Sequence, residues 1–183
     1  MLRHPFLLAL HVTPPMITKI GILPRPQSCT TRMTKRLEKE LHAKEFDSQN
    51  FSRYFKEWVE RGAGADDWFF GKDNFYWKPT KDGKQVLRHV HLAPGETDTD
   101  ETYGHLLLPV WNQIWEKGWN KERVSNTALI YARDATYGYL LLHVVWAPHA
   151  HPLARMKDAE SSALMLKLCE EAAAFIFNGE ISA

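Results

Sequence analysis

Hydrophobic residues recur along two parts of the chain at the spacing of one helix face, which predicts two amphipathic helices. The first begins at Asp47 or Ser48, either of which can cap a helix, and it ends near Arg61. The second runs from about residue 157 to residue 177. A further short helix is predicted around tryptophans that recur every four residues, namely Trp111, Trp115 and Trp119.

Other segments show the patterns of β-strands. Residues 86–93 alternate in polarity, which places His89 and His91 on one face and Arg88 on the opposite face. Residues 127–133 and 138–147 are rich in β-forming side chains and are joined by a short turn, so they predict a hairpin. The second of these runs is almost entirely apolar, as is typical of a central strand.

These elements predict one α+β domain, with helices packed against a small antiparallel β-sheet of three to four strands. Residues 33–41 are predicted to form either an edge strand or the approach to a helix. The aromatic segment 66–79 is predicted to be irregular. No internal repeat and no domain boundary is evident after Met33, so residues 33–183 form the predicted domain.

The first 32 residues differ from the rest in composition. They contain four basic residues, no acidic residue and half of the prolines, namely Pro5, Pro14, Pro15, Pro24 and Pro26. Their apolar run is too short to span a bilayer, which takes about 20 residues, so we expect no membrane partner. Two interpretations remain open, a disordered arm or an extension upstream of a true start at Met33. We favour the second because the regular pattern begins there.

Composition and charge restrict the class of protein. The chain is 44% hydrophobic and 25% charged, which is typical of a globular domain. Without the four basic residues of the first segment, 19 Lys and Arg stand against 22 Asp and Glu, a net charge of −3. Nucleic-acid binders usually carry a basic face, so any RNA must meet a local basic patch or be presented by a larger partner. The two cysteines form no CxxC pair, which fits a cytoplasmic protein without disulfides.

Two short motifs concentrate histidine and arginine at the ends of predicted strands. The first is residues 88–93, with His89 and His91, and the second is residues 149–155, with His151 and Arg155. Imidazole exchanges protons near neutral pH, and guanidinium binds phosphate. The motifs therefore predict acid–base chemistry on a phosphate-containing substrate.

The absence of other motifs narrows the alternatives. The chain has no P-loop, GxGxxG, GxSxG or HExxH motif, which disfavours nucleotide hydrolases, dinucleotide enzymes, serine hydrolases and common metalloproteases. The pairs His89/His91 and His149/His151 leave a metal-dependent hydrolase open. Seven tryptophans leave a non-catalytic binding module open, with the tryptophans as its contact surface.

Four short motifs in this order resemble the YafO family of toxins from bacterial type II toxin–antitoxin systems. The motifs are Phe70-Gly71-Lys72-Asp73, His89-Val90-His91-Leu92-Ala93, Leu129-Ile130-Tyr131 and His151-Pro152-Leu153-Ala154-Arg155. The resemblance extends from about Met33 to the C-terminus. It implies a compact α+β fold like that of RelE toxins. It also implies an mRNA interferase that acts on the ribosome, in the cytoplasm, and is neutralised by a cognate antitoxin.

Cleavage by the RNA's own 2′-hydroxyl requires a base, an acid and cations around the phosphate, and no metal or other cofactor. On this hypothesis, His89 or His91 is one proton-transfer group and His151 is the other, while Arg155 holds the phosphate. Lys72, Arg88 and Tyr131 are the candidate RNA-binding residues, although strand alternation places Arg88 opposite the histidines. His149 beside His151 leaves open which of these two histidines takes part.

Overall fold

The computed structural model describes residues 30–62, 67–95, 107–117 and 123–181. Its strands are β1 (Thr31–Met33), β2 (Phe70–Phe75), β3 (Arg88–Leu92), β4 (Ala128–Asp134) and β5 (Gly138–Val145). Its helices are α1 (Lys35–Ala43), α2 (Ser48–Arg61), α3 (Leu108–Glu116), α4 (Ala150–Arg155) and α5 (Ala159–Asn178). The predictions for Trp119 and for most of the proline-rich first segment lie outside the described residues.

The described part of the chain contains a five-stranded mixed sheet in the order β1-β5-β4-β3-β2. Strands β2 to β5 pair antiparallel, and β1 pairs parallel with β5. The predicted α+β class and the β4–β5 hairpin are confirmed. The expected count of three to four antiparallel strands is corrected to five strands in a mixed sheet. Strand β2 was not predicted, and β1 ends at Met33, so that residues 33–41 mostly form α1 and not an edge strand.

Physical reasons explain why the alternation of polar and apolar residues did not predict β1 and β2. A bulge between Phe70 and Asp73 shifts the register of β2 against β3, which hides the two-residue period. The strand also contains Gly71, where an added Cβ would lie 2.5 Å from both the Arg123 carbonyl oxygen and the Trp111 ring. Gly71 therefore allows α3 and the segment before β4 to approach the sheet edge. Strand β1 has only three residues, too few to show an alternating pattern, and it ends at Met33, where the predicted domain begins.

Helices cover both faces of the sheet. We call the side under α1 and α2 the α2 face and the side under α4 and α5 the α5 face. Because side chains alternate along a strand, β4 and β5 supply apolar residues to both cores, whereas the apolar residues of β3 belong to the core of the α2 face. The core of the α2 face includes Phe55, Trp58, Val90, Leu129 and Tyr131. The core of the α5 face includes Leu87, Ile130, Leu142, Leu168 and Phe175.

Side-chain caps determine where the helices begin. The carboxylate of Asp47 accepts a hydrogen bond from the Asn50 amide at 2.7 Å, which confirms the predicted start of α2. Asp158 caps α5 through the Ser161 amide, also at 2.7 Å. Between β5 and α5 the chain forms the short helix α4, which positions the second histidine motif.

Candidate active site

Histidines from the two sequence motifs meet on the α5 face. His89 and His91 point to this face from β3, and their ring centroids are 5.2 Å apart. His151 comes from α4, and its ring lies 6.0 Å from that of His91 with an angle of 25° between the planes. We call these residues the histidine cluster. The structure thus brings the two motifs together, as the hypothesis of acid–base cleavage at an RNA phosphate requires.

Sheet register and helix packing explain why the motifs meet. Ala128 of β4 pairs with His91 on one side and with Val145, the last residue of β5, on the other. The chain leaving β5 therefore starts α4 close to His91. Within α4, Ala150 and Leu153 are buried in the core, which turns His151 and Arg155 toward β3. The helical spacing of four residues places these two side chains on one face.

The histidine cluster lines a groove of about 530 Å³. Arg155 and Lys157 line it after His151, and Tyr76, Trp77 and Lys78 line it from the segment after β2. Of the described residues that line this groove, none is acidic. The arrangement surrounds proton-transfer groups with positive charge, which suits an anionic ligand.

Burial favours the neutral form of two of the histidines. The pKa of His89 is lowered to about 4, first by burial and then by the nearby His151, Arg88 and Lys72, in that order. The Nδ1 atom of His89 is buried without a hydrogen-bond partner among the described residues. The pKa of His151 is lowered by burial and then by Arg155. Both rings are therefore in the neutral form near pH 7.

A backbone contact orients His91, which is 5% exposed. Its Nδ1 atom lies 2.8 Å from the Ser125 carbonyl oxygen and 3.2 Å from the Ser125 amide nitrogen. A proton on Nδ1, donated to the carbonyl, assigns the lone pair of the neutral ring to Nε2. The Ser125 hydroxyl oxygen, 2.6 Å from the Leu92 carbonyl oxygen, ties this segment to β3. No sequence motif identifies Ser125, because its contribution is made by the backbone.

Two of the predicted RNA-binding residues lie on the α2 face, away from the groove. Arg88 donates hydrogen bonds to Asp73 at 2.5 Å and to the Tyr131 hydroxyl oxygen at 3.0 Å. The Tyr131 hydroxyl donates to the other carboxylate oxygen of Asp73 at 2.8 Å. The Arg88 guanidinium also lies 4.0 Å from the centre of the Phe75 ring. The structure therefore does not bring Arg88 and Tyr131 to the histidine cluster. We call Arg88, Asp73 and Tyr131 the arginine network.

The remaining predicted residues divide between the groove and its surroundings. Lys72 is exposed on β2 and lies close enough to His89 to lower its pKa, but it does not line the groove. Arg155, at the end of α4, does line it. His149 is exposed and lines a different cleft beside Trp146 and Leu153. Of His149, which precedes α4, and His151, which lies within it, only His151 belongs to the histidine cluster.

Sequence reasoning missed Tyr76, Trp77, Lys78 and Lys157 as groove residues. The ring of Tyr76 lies 4.4 Å from that of His89, and Trp77 and Lys78 follow it in the chain. The only sequence signal for them was the aromatic run at residues 75–77, which predicts no position relative to the histidines. Lys157 gave no signal beyond its place shortly after Arg155.

Among residues 30–62, 67–95, 107–117 and 123–181, no group of three or more His, Cys, Asp or Glu side chains is placed to hold a metal ion. Within the same residues, no helix has both the length and the apolar character needed to cross a membrane.

Comparison with protein families supports the resemblance seen in the sequence. Residues 56–177 match the family model described as "Toxin YafO, type II toxin-antitoxin system". The match begins within α2, later than Met33, and includes every described residue that lines the groove. No curated protein and no solved structure matches the chain at a significant level. Because the family match covers more than half of the chain, the protein belongs to the YafO family of type II toxin–antitoxin toxins.

Proposed function

We propose that this toxin is an endoribonuclease that cleaves messenger RNA in the groove of the histidine cluster, without a metal ion. The observation that carries the proposal is the meeting of His89, His91 and His151 with Arg155 in one groove lined by no described acidic residue. Imidazoles supply proton transfer, and the cations stabilise the negative charge of the phosphate in the transition state.

In the proposed reaction, the RNA 2′-hydroxyl oxygen bonds to the adjacent phosphorus while the bond from phosphorus to the 5′ oxygen breaks. A base accepts the hydroxyl proton and an acid donates a proton to the departing oxygen. The products are a 2′,3′-cyclic phosphate and a 5′-hydroxyl end. Arg155 and Lys157 line the groove on the α4 side, where they hold the phosphate.

The surroundings of the rings favour particular roles. His151 is the proposed base, because it is only partly buried and its lowered pKa keeps the ring neutral near pH 7. His91 is the proposed acid. In the tautomer whose Nδ1 proton is donated to the Ser125 carbonyl oxygen, Nε2 can carry and release a second proton. The neutral His89 packs between Tyr76 and His91 and holds the cluster together.

The charge of the chain favours a presented substrate. The predicted domain carries a net negative charge, and the described cations of the groove form only a local patch. A message held on the ribosome needs little long-range attraction to reach the groove. We therefore propose that the toxin acts on ribosome-bound mRNA in the cytoplasm. We further propose that the antitoxin of its system neutralises this activity.

Product analysis tests the proposal. Purified toxin is preincubated with or without a metal chelator, the chelator is removed, and the toxin is then added to translating ribosomes with a defined mRNA. We expect cleavage at an unchanged rate after preincubation of the toxin with the chelator, and fragments with 5′-hydroxyl and 2′,3′-cyclic phosphate ends. Loss of cleavage on chelation of the toxin, or 5′-phosphate ends, would favour the metal-dependent hydrolase instead. Equal cleavage of free mRNA would contradict the role of the ribosome.

A further inference from the structure

Trp77 is 83% exposed, more than any other large hydrophobic side chain in the described residues. Single exposed hydrophobic residues are common on protein surfaces and need no functional explanation. The position of Trp77 is what distinguishes it, because it lines the same groove as the histidine cluster. Trp68, also exposed at 55%, does not line this groove and offers a natural comparison.

The backbone on both sides of Trp77 is anchored. Tyr76 before it is 5% exposed, and its amide donates a hydrogen bond to the Leu87 carbonyl oxygen at 3.0 Å. Pro79, two residues after Trp77, is also buried. The exposed indole therefore projects from a segment that is held at both ends, which lowers the entropy lost when a ligand packs against it.

The segment also places Trp77 next to the proposed reaction. The Tyr76 ring lies 4.4 Å from the His89 ring of the histidine cluster. Trp77 is the next residue, and consecutive Cα atoms are about 3.8 Å apart, so its backbone lies close to the cluster. Lys78 follows and lines the groove as well. An apolar ring and a cation thus lie side by side at the edge of a groove that contains proton-transfer groups.

We propose that Trp77 is a stacking platform for an unpaired nucleobase of single-stranded RNA, with Lys78 beside it to meet a backbone phosphate. The location of this subsite next to the cleaved bond rests on the proposed function. A flat aromatic side chain stacks on any base, whereas the bases of a duplex have both faces covered by their neighbours. The subsite therefore selects single-stranded over double-stranded RNA without requiring a particular sequence.

Binding of a non-cleavable oligonucleotide tests this subsite. The probe is a single-stranded RNA with 2′-O-methyl groups throughout, which removes the attacking hydroxyl, and its affinity is measured for full-length wild type, Trp77→Ala, Trp77→Phe and Trp68→Ala. Stacking contributes about 1–3 kcal/mol per base, so Trp77→Ala should weaken binding by about 5- to 150-fold. Trp77→Phe should recover most of the affinity, and Trp68→Ala should bind as wild type does. A duplex of the same sequence should bind all four proteins equally weakly.

The ribosome assay, run on the same variants, separates this inference from the proposed function. If the wild type cleaves mRNA but Trp77→Ala binds the probe and cleaves as well as Trp68→Ala, the stacking subsite is wrong and the endoribonuclease proposal stands. If binding depends on Trp77 but no protein cleaves, the subsite stands and the proposed reaction is wrong. If Trp77→Ala loses affinity for the antitoxin alone, the indole belongs to a protein interface and the inference is overturned.

Discussion

Consecutive residues of β3 place charged or titratable side chains on its two faces, and these side chains differ in their hydrogen-bond partners. On the α2 face, Arg88 is 17% exposed and is bonded to both Asp73 and Tyr131. On the α5 face, His89 is also largely buried, but its Nδ1 atom has no hydrogen-bond partner among the described residues. The polar groups of the first face satisfy one another, and those of the second line a groove.

The comparison shows how to separate a structural polar cluster from a candidate active site. A buried charge is tolerated when a partner of opposite charge and further hydrogen bonds compensate for lost water, as Asp73 and Tyr131 do for Arg88. No acidic side chain is among the described residues that line the groove of the histidine cluster, and burial lowers the pKa of His89 and of His151. A phosphate bound there would supply the missing negative charge.

The largest expected effect comes from replacing His151 of α4, compared with His149 just before the helix. His151→Ala should reduce the rate of mRNA cleavage by about 10²- to 10⁴-fold, because it removes a proton-transfer group. His149→Ala is the matched control, since His149 lies outside the groove, and it should cleave and inhibit growth as wild type does. Equal losses in the two variants, with both folded by circular dichroism, would contradict the assignment of His151.

Variants of the arginine network should lose folding stability and keep their cleavage activity, the opposite of His151→Ala. Asp73→Ala leaves Arg88 largely buried without its carboxylate and should lower the free energy of unfolding by about 3 kcal/mol. Tyr131→Phe removes one hydroxyl from the same network and should cost about 1 kcal/mol. Urea denaturation measures both. The cleavage rate per folded molecule should not change. A variant that keeps full stability but loses cleavage would show that the arginine network takes part in the reaction.

A smaller expected effect is the contribution of His89 to the pH dependence of the free energy of unfolding. The pKa of His89 is lowered from 6.5 to about 4, so the unfolded chain binds more protons than the folded protein between these pH values. His89 therefore makes the free energy of unfolding fall as the pH falls from 6.5 to 4, by about 2 kcal/mol after allowance for its partial exposure.

The variant His89→Gln isolates this contribution. Urea denaturation at several pH values should show that the variant loses less stability than wild type between pH 6.5 and 4. His42→Gln, at an exposed position on α1, should retain the full pH dependence. If His89→Gln and wild type respond identically to pH, then His89 is not held neutral by its surroundings.

Local patterns predicted much of the site, and non-local contacts explain what they missed. Strand alternation placed His89 and His91 on one face and Arg88 on the other, because the period of β3 is uninterrupted. His151 and Arg155 were assigned to one short motif, and the helix α4 places both side chains on one face. The bulge in β2 concealed a whole strand, so the sequence offered no basis for locating Tyr76 or Trp77. Tyr131 and Lys72 were assigned to RNA by motif, although only the fold decides which face a side chain reaches.

The most direct test of the account is to observe the histidine rings while RNA binds. Nuclear magnetic resonance spectra of the histidine and tyrosine rings are recorded as the 2′-O-methyl oligonucleotide is added to the full-length toxin. We expect the resonances of His89, His91 and His151 to shift, and those of His149 and of the Tyr131 ring to remain in place. Shifts confined to Tyr131 or His149, with the histidine cluster unchanged, would contradict the claim that RNA occupies the α5-face groove.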